Sequence, residues 1–272
     1  MKPWILLLVL TSILTACSTS PTGRSQLMIV SPKSAIVESE KAYISTMNDL
    51  DTNKQLLTDP AWVNRIRTIS GRLITEAVIK YPNSKDWKWS VAIIDDPENL
   101  NAWCMAGGRM AIYSGIVLKL DLTDDEIAQI MGHEIAHALA NHTAERMSRA
   151  TLMNAGLAVT AQAGEAALSG VAMAAQLALE LPNSRTAESE ADRIGIELAA
   201  RAGYAPEAAV SLWKKMEKAS GSGTPAFLST HPSPANRASE LAKLGPEMRA
   251  LNPAMKMSNV HAVRIVTSSK EI

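Results

Sequence analysis

The stretch from Ile130 to Thr143, IMGHEIAHALANHT, holds three of the five histidines in the chain. Two of them, His133 and His137, flank Glu134 in the pattern H-E-x-x-H. Four residues apart on a helix, they project from one face, and their imidazoles can share one metal ion. Two ligands do not complete such a site; three protein donors and an open position are needed. A chain that uses this pair must therefore fold so that a distant donor returns to the same helix face. The helix itself is well marked. Thr123 stands as N-cap with Glu126 three residues on, a capping box, and Asp124 and Asp125 suit the positive end of the helix dipole.

Two places can supply the third donor. One known arrangement needs Gly three residues after the second histidine and His three further on; those positions are Ala140 and Thr143. His142 is one residue off that register, about 140° round a continuous helix from His137. It reads as a partly exposed or hydrogen-bonded helix histidine. The other place is a later helix, SRTAESEAD, with Ser184 as N-cap. Glu188 and Asp192 are four apart and share a face, so Glu188 can reach the metal and Asp192 the free ring nitrogen of a ligand histidine. Glu190 points elsewhere and reads as solvated. With that set, Glu134 is placed as general base towards a water at the metal, the zinc-peptidase arrangement.

The chain begins MKPWILLLVLTSILTAC, with a positive residue, an apolar run from Trp4 to Leu14 and then small residues. The run is too short to span a bilayer, which takes about 20 apolar residues, and it reads as a secretory signal over 1–16. Its end, Leu14 to Cys17, looks like a bacterial lipobox, which makes Cys17 the expected acylated N-terminus and a membrane anchor. Ser18 rather than Asp follows the cysteine, which favours the outer membrane. Residues 17–32, rich in Ser, Thr, Pro and Gly, read as a lipidated tether. Once Cys17 is lipidated, Cys104 is the only thiol left and no internal disulfide can form.

The remainder, 47% hydrophobic and 20% charged over the whole chain, has the composition of a globular protein. Twenty-seven basic residues balance twenty-seven acidic ones, and a single Phe gives no aromatic platform, so nothing points to nucleic acid. The domain is expected over 33–250, with 251–272 as a C-terminal tail. Helical patterns run from Lys33 to Leu57 and onward from Asp59, an N-cap before Pro60. WKWSVAIID (Trp87–Asp95) alternates like a strand. NAWCMAGGRMAIYSG (Asn101–Gly115) reads as a hairpin around Gly107 and Gly108. Residues 150–180 are rich in small residues, but Gln162, Glu165 and Gln176 argue for packed helices rather than a membrane span. Further helices are expected from Ser184 to a C-terminal Gly203 and over APEAAVSLWKKMEKAS, followed by a loop, GSGTPAFLSTHPSPANR, and a short helix from Pro234. The fold class is α+β, predominantly helical, with a small sheet beside the H-E-x-x-H helix.

HEIAH, SRTAESEAD and STHPSPANR, in this order, resemble the zinc metallopeptidases related to the CAAX prenyl proteases, and most closely their bacterial outer-membrane lipoprotein branch. The resemblance covers roughly Thr58 to Leu244. It implies a zincin-like fold, one Zn2+ per chain, His133, His137 and Glu188 as ligands, Asp192 beside them and Glu134 as base. It likens Asn101–Gly115, with Asn101, Gly107 and Gly108, to a hairpin whose edge binds substrate backbone, and an ordinary hairpin is the other reading. It places His231 and Arg237 near the zinc. His231 either fills the fourth coordination position and holds the enzyme latent, stabilises the oxyanion, or is a turn residue. The implied function is hydrolysis of peptide bonds in unfolded or misassembled envelope proteins, at the periplasmic face of the outer membrane and near the envelope assembly machinery. A zinc-binding chaperone or assembly factor without turnover is the alternative, and a structural outer-membrane lipoprotein a third.

Overall fold

The structure, a computed structural model, describes residues 17–160, 173, 176, 183–220, 225–232 and 236–272. The apolar start over 1–16, most of the second half of 150–180, and Pro234 lie outside the described residues. No helix among the described residues is long and apolar enough to cross a membrane.

The expected tether is not a free linker. Strands β1 (Cys17–Thr19) and β2 (Ser25–Leu27) form an antiparallel hairpin. Gly23, at φ +90°, makes its turn, a backbone conformation that glycine adopts without strain. Polar side chains in this segment find partners on the domain body, so its polarity is that of a docked element and not of solvated chain.

Helix α1 (Pro32–Thr52) follows, capped by Ser31, and then α2 (Pro60–Lys80), capped by Asp59 with Pro60 at its first position. A four-stranded sheet comes next, in the order β4-β5-β3-β6. It contains β3 (Ser90–Ile94), β4 (Ala102–Met105), β5 (Arg109–Tyr113) and β6 (Arg264–Val266). β4 and β5 are the expected hairpin, antiparallel, with Gly107 and Gly108 at positive φ in the turn. β3 runs parallel to β5 on one side and to β6 on the other.

Both faces of this sheet are covered. Val91, Ile93, Ala102, Cys104, Met110 and Ile112 point into the main core with α2. The alternate residues Ala92, Ile94, Trp103, Met105 and Ala111 meet Ala42, Tyr43 and Met47 of α1. The alternation seen in the sequence is therefore real, but it divides two apolar layers rather than a core from water.

The expected C-terminal tail is also part of the body. β6 completes one sheet edge, Val263 and Ile265 enter the core, and the His261 N–H donates to the Gly71 carbonyl at 3.0 Å. A side chain at Gly71 would collide with Val260 and His261, so this glycine is what lets the tail cross α2.

After β5 come α3 (Ser114–Lys119), α4 (Asp124–Leu139), α5 (His142–Thr160), α6 (Arg185–Arg201) and α7 (Ala208–Ala219). Ala226–Thr230, expected as loop, is a helical turn, α8. The helix expected from Pro234 is α9 (Arg237–Leu251), fifteen residues long with Pro246 inside it. The class is as expected: predominantly helical, with a small sheet beside α4.

Candidate active site

α4 starts at the capping box. The Thr123 hydroxyl accepts from the Glu126 N–H, and the Glu126 carboxylate accepts from the Thr123 N–H. That fixes the helical phase, and with it the shared face of His133 and His137. α6 crosses α4 where Gly132 meets Gly195, so closely that a Cβ on Gly195 would lie 2.7 Å from the His133 amide nitrogen. Two turns before Gly195 on the same face of α6 stands Glu188. Contact of two bare backbones is what carries this carboxylate to the histidine pair.

His133, His137, Glu188 and His231 converge, all four buried, each offering a donor atom within 4.8 Å of the others. His133 Nε2 lies 3.1 Å from His137 Nε2 and 3.2 Å from His231 Nδ1. Glu188 oxygens lie 3.3 Å from His133 Nε2, 3.3 Å from His137 Nε2 and 3.1 Å from His231 Nδ1. An ion with tetrahedral donors at about 2.0–2.1 Å has donor–donor edges of about 3.3–3.4 Å, so the residues fit one. Shared protons cannot satisfy three ring nitrogens and a carboxylate that all point at one spot, whereas a cation can.

The electrostatics of the cluster follow from these contacts. Burial would raise the Glu188 carboxyl, but His231, His137 and His133 hold it far below the usual range. Burial would likewise lower His133, but Asp192 and Glu188 raise it to about 9. His137 is pushed well down by burial and stays neutral. A carboxylate that remains charged among imidazoles is a site prepared for positive charge.

Asp192 Oδ1 lies 3.0 Å from His133 Nδ1, the ring nitrogen turned away from the donor cluster. Arg237 clamps that pair, donating to both Asp192 oxygens at 2.7 and 2.5 Å and to Glu188 Oε2 at 3.2 Å. Its guanidinium stacks 3.6 Å above the Trp213 ring. Glu134 is buried beside the cluster, and its carboxyl is raised, chiefly by burial. Its Oε1 has no hydrogen-bond partner among the described residues and lies 3.3 Å from His231 Nε2. His231 thus stands between the donor cluster and Glu134, stacked on Phe227 with ring centroids 4.4 Å apart.

Two expectations are corrected here. α4 ends at Leu139, and Asn141 turns the chain at φ +55°, a conformation asparagine tolerates. His142 is a hydrogen-bonded helix histidine, one of the expected readings, but it is buried and not 140° round one helix: it folds back towards His137, with the two Nδ1 atoms 2.8 Å apart. Glu190 is not solvated; it is 5% exposed, bound by His142 on one side and by the β1–β2 hairpin on the other. The residues expected at a substrate edge make contacts within the fold. The Asn101 carbonyl accepts from the Tyr113 N–H and its Oδ1 from the Ala102 N–H, while a Cβ on Gly107 or Gly108 would press into Ile36 or Trp89. β4 is the sheet edge beside α4, but by ladder alternation its outward groups belong to Ala102 and Cys104. Cys104 is buried, and burial pushes its thiol well up.

Residues 60–244 match the model of peptidase family M48. The chain belongs to peptidase family M48. Among curated relatives, it is 34% identical to mitochondrial metalloendopeptidase OMA1 of Saccharomyces cerevisiae over 64% of this chain and 53% of that one. It is 32% identical to the Bos taurus metalloendopeptidase OMA1, covering 83% of this chain and 45% of that one. A putative beta-barrel assembly-enhancing protease of Vibrio cholerae is 33% identical over 70% of this chain and 40% of its own length. The chain spans about half the length of the curated relatives it matches. The helical body and the buried His/Glu cluster are those of a zincin-like M48 metallopeptidase. The parts of this M48 site that the sequence hid are His142, Glu190 and their partners in the hairpin. Asn141 was the available signal, since asparagine commonly ends helices in the left-handed conformation.

Proposed function

We propose that this chain is a zinc endopeptidase, anchored by a lipid on Cys17 to the periplasmic face of the outer membrane, that cleaves unfolded or misassembled envelope proteins. One observation carries the chemistry: His133, His137 and Glu188 converge in a buried cluster with Glu134 beside it. Zinc held by these three residues would supply a Lewis acid for a water and for the scissile carbonyl. Glu134 takes the proton of the attacking water and hands it to the leaving nitrogen, a task that suits a carboxyl raised by burial. Asp192, clamped by Arg237, keeps the His133 ring turned so that Nε2 faces the cluster.

His231 would take the fourth position of a bound zinc, and it faces Glu134, which supports the reading of a latent state. Proteolysis begins when the segment carrying His231 withdraws. The anchor and the location rest on the sequence from Lys2 to Cys17, and the substrate class on that sequence together with relatives named beta-barrel assembly-enhancing protease.

The test is the purified protein on an unfolded protein substrate, with metal content measured in parallel. Glu134→Gln keeps its zinc and loses at least about 10²-fold in turnover. His231→Ala keeps its zinc and cleaves faster than wild type. Near-normal turnover by Glu134→Gln refutes the mechanism, and slower cleavage by His231→Ala refutes latency in favour of an oxyanion role. Zinc without turnover in wild type and in His231→Ala would leave the chaperone reading. Mass spectrometry finding no acyl group on Cys17 would refute the anchor.

A further inference from the structure

His133 and His137 are both buried, and both need their second ring nitrogen held. His133 is held directly, by Asp192. His137 is held differently, at longer range. Its Nδ1 meets His142 Nδ1 at 2.8 Å, and His142 Nε2 meets Glu190 Oε2 at 3.1 Å. The carboxylate end fixes the proton order. Glu190 accepts, so His142 carries its proton on Nε2 and offers Nδ1 as an acceptor; His137 then carries its proton on Nδ1 and presents a bare Nε2 to Glu188 and His133.

Glu190 is itself held by residues far away in sequence. Its Oε1 accepts from the Thr22 hydroxyl at 2.6 Å, and its Oε2 from Arg24 Nε at 2.9 Å. With His142 on the same side, both oxygens of this buried carboxylate have side-chain partners. Arg24 turns its other two nitrogens to Glu145, at 2.9 and 2.6 Å. Gln26 adds bonds to Glu145 and to the Ala140 carbonyl at the end of α4. The β1–β2 hairpin therefore closes over α4, α5 and α6 where they meet behind His137.

We propose that His142 and Glu190 are positioning residues for His137, and that the hairpin, through Thr22 and Arg24, completes them, so that docking of the segment next to Cys17 sets how tightly the site holds its metal. The inference rests on the metal site of the proposed function. It gives Glu190 a role that the ligand Glu188, on the other side of α6, does not share. It also ties the chain's first described residues to the catalytic helix.

The experiment measures Zn(II) affinity by chelator competition, and the visible spectrum of the Co(II)-substituted protein, for wild type, Glu190→Gln, Arg24→Ala and Thr22→Val. Thr22 and Arg24 lie on the partly exposed hairpin, so their variants keep the core even if Glu190→Gln folds poorly. Glu190→Gln is expected to weaken metal binding by about 10 to 100-fold and Arg24→Ala by about tenfold, each with a changed Co(II) spectrum. Thr22→Val shows a smaller loss in the same direction. A purely structural hairpin would lower the melting temperature and leave affinity and spectrum unmoved; that result overturns the proposal. Wild type that takes up neither metal sinks the site and the relay together. Normal uptake by wild type and by every variant sinks the relay alone.

Discussion

Gly195→Ala tests whether the α4–α6 contact builds the metal site. The added methyl would sit 2.7 Å from the His133 amide nitrogen, 2.8 Å from its Cα and 2.9 Å from the Gly132 carbonyl carbon. All three are backbone atoms, so no rotamer change can make room. Ordinary contact begins at 3.4 Å, which asks the helices to part by about 0.7 Å. Metal–donor distances tolerate about 0.2 Å, and Glu188 rides on the same face two turns away. The stability arithmetic is mild. Alanine gains about 1 kcal/mol over glycine in a helix, and overpacking costs about 1–3 kcal/mol, for a net loss of about 0–2 kcal/mol. In a chain of this size that lowers the melting temperature by only a few degrees, about 2–4 °C per kcal/mol. The expected result is a folded protein whose Zn(II) affinity, measured by chelator competition, drops at least about tenfold. Unchanged affinity and turnover, with the melting temperature lowered or not, would refute the claim that the glycine crossing places Glu188.

The neighbouring predictions use the same physics with other signs. Gly245 in α9 meets nothing within 4 Å beyond its chain neighbours, but it precedes Pro246, whose ring disfavours a helical conformation for a residue with a Cβ, so Gly245→Ala should fall short of the gain of about 1 kcal/mol usual inside a helix, read by chemical denaturation; a full gain would refute the restriction by Pro246. Thr123→Ala, which removes the α4 cap, should cost about 1 kcal/mol in the same assay. Burial would raise Glu126, but Lys215, Ser211 and the Thr123 N–H hold it below its ordinary value. Its folded-state pKa is thus depressed, and its contribution is complete above the unfolded value of about 4.3 and lost as pH falls through the lower folded one. The melting-temperature gap between metal-free wild type and Glu126→Gln should therefore be open at pH 7 and close in acid; a constant gap would refute the assignment.

Local spacing determined a good part of this protein from sequence. Helix hydrogen bonds join residues four apart, so a capping box at Thr123 and Glu126 fixes which face carries His133 and His137. The same rule put Glu188 and Asp192 on one face of α6, and the structure brings both to His133. The hairpin of β4 and β5 was legible for a similar reason, because its pattern and its glycine turn lie within a dozen residues.

What the sequence could not decide is where distant surfaces meet. Nothing local says that Gly132 faces Gly195, the close crossing that lets Glu188 approach the pair. A single left-handed residue, Asn141, reverses the chain and turns His142 from an off-register histidine into the neighbour of His137. Glu190 looked solvated because a helix face tells only its angle; the hairpin that covers it comes from more than 160 residues away. β6 has three residues and no signal of its own, and becomes a strand because β3 offers a free edge. Each of these outcomes is a choice of partner, made by long-range packing and by the need to satisfy buried polar groups, and it exists only once the whole chain has closed on itself.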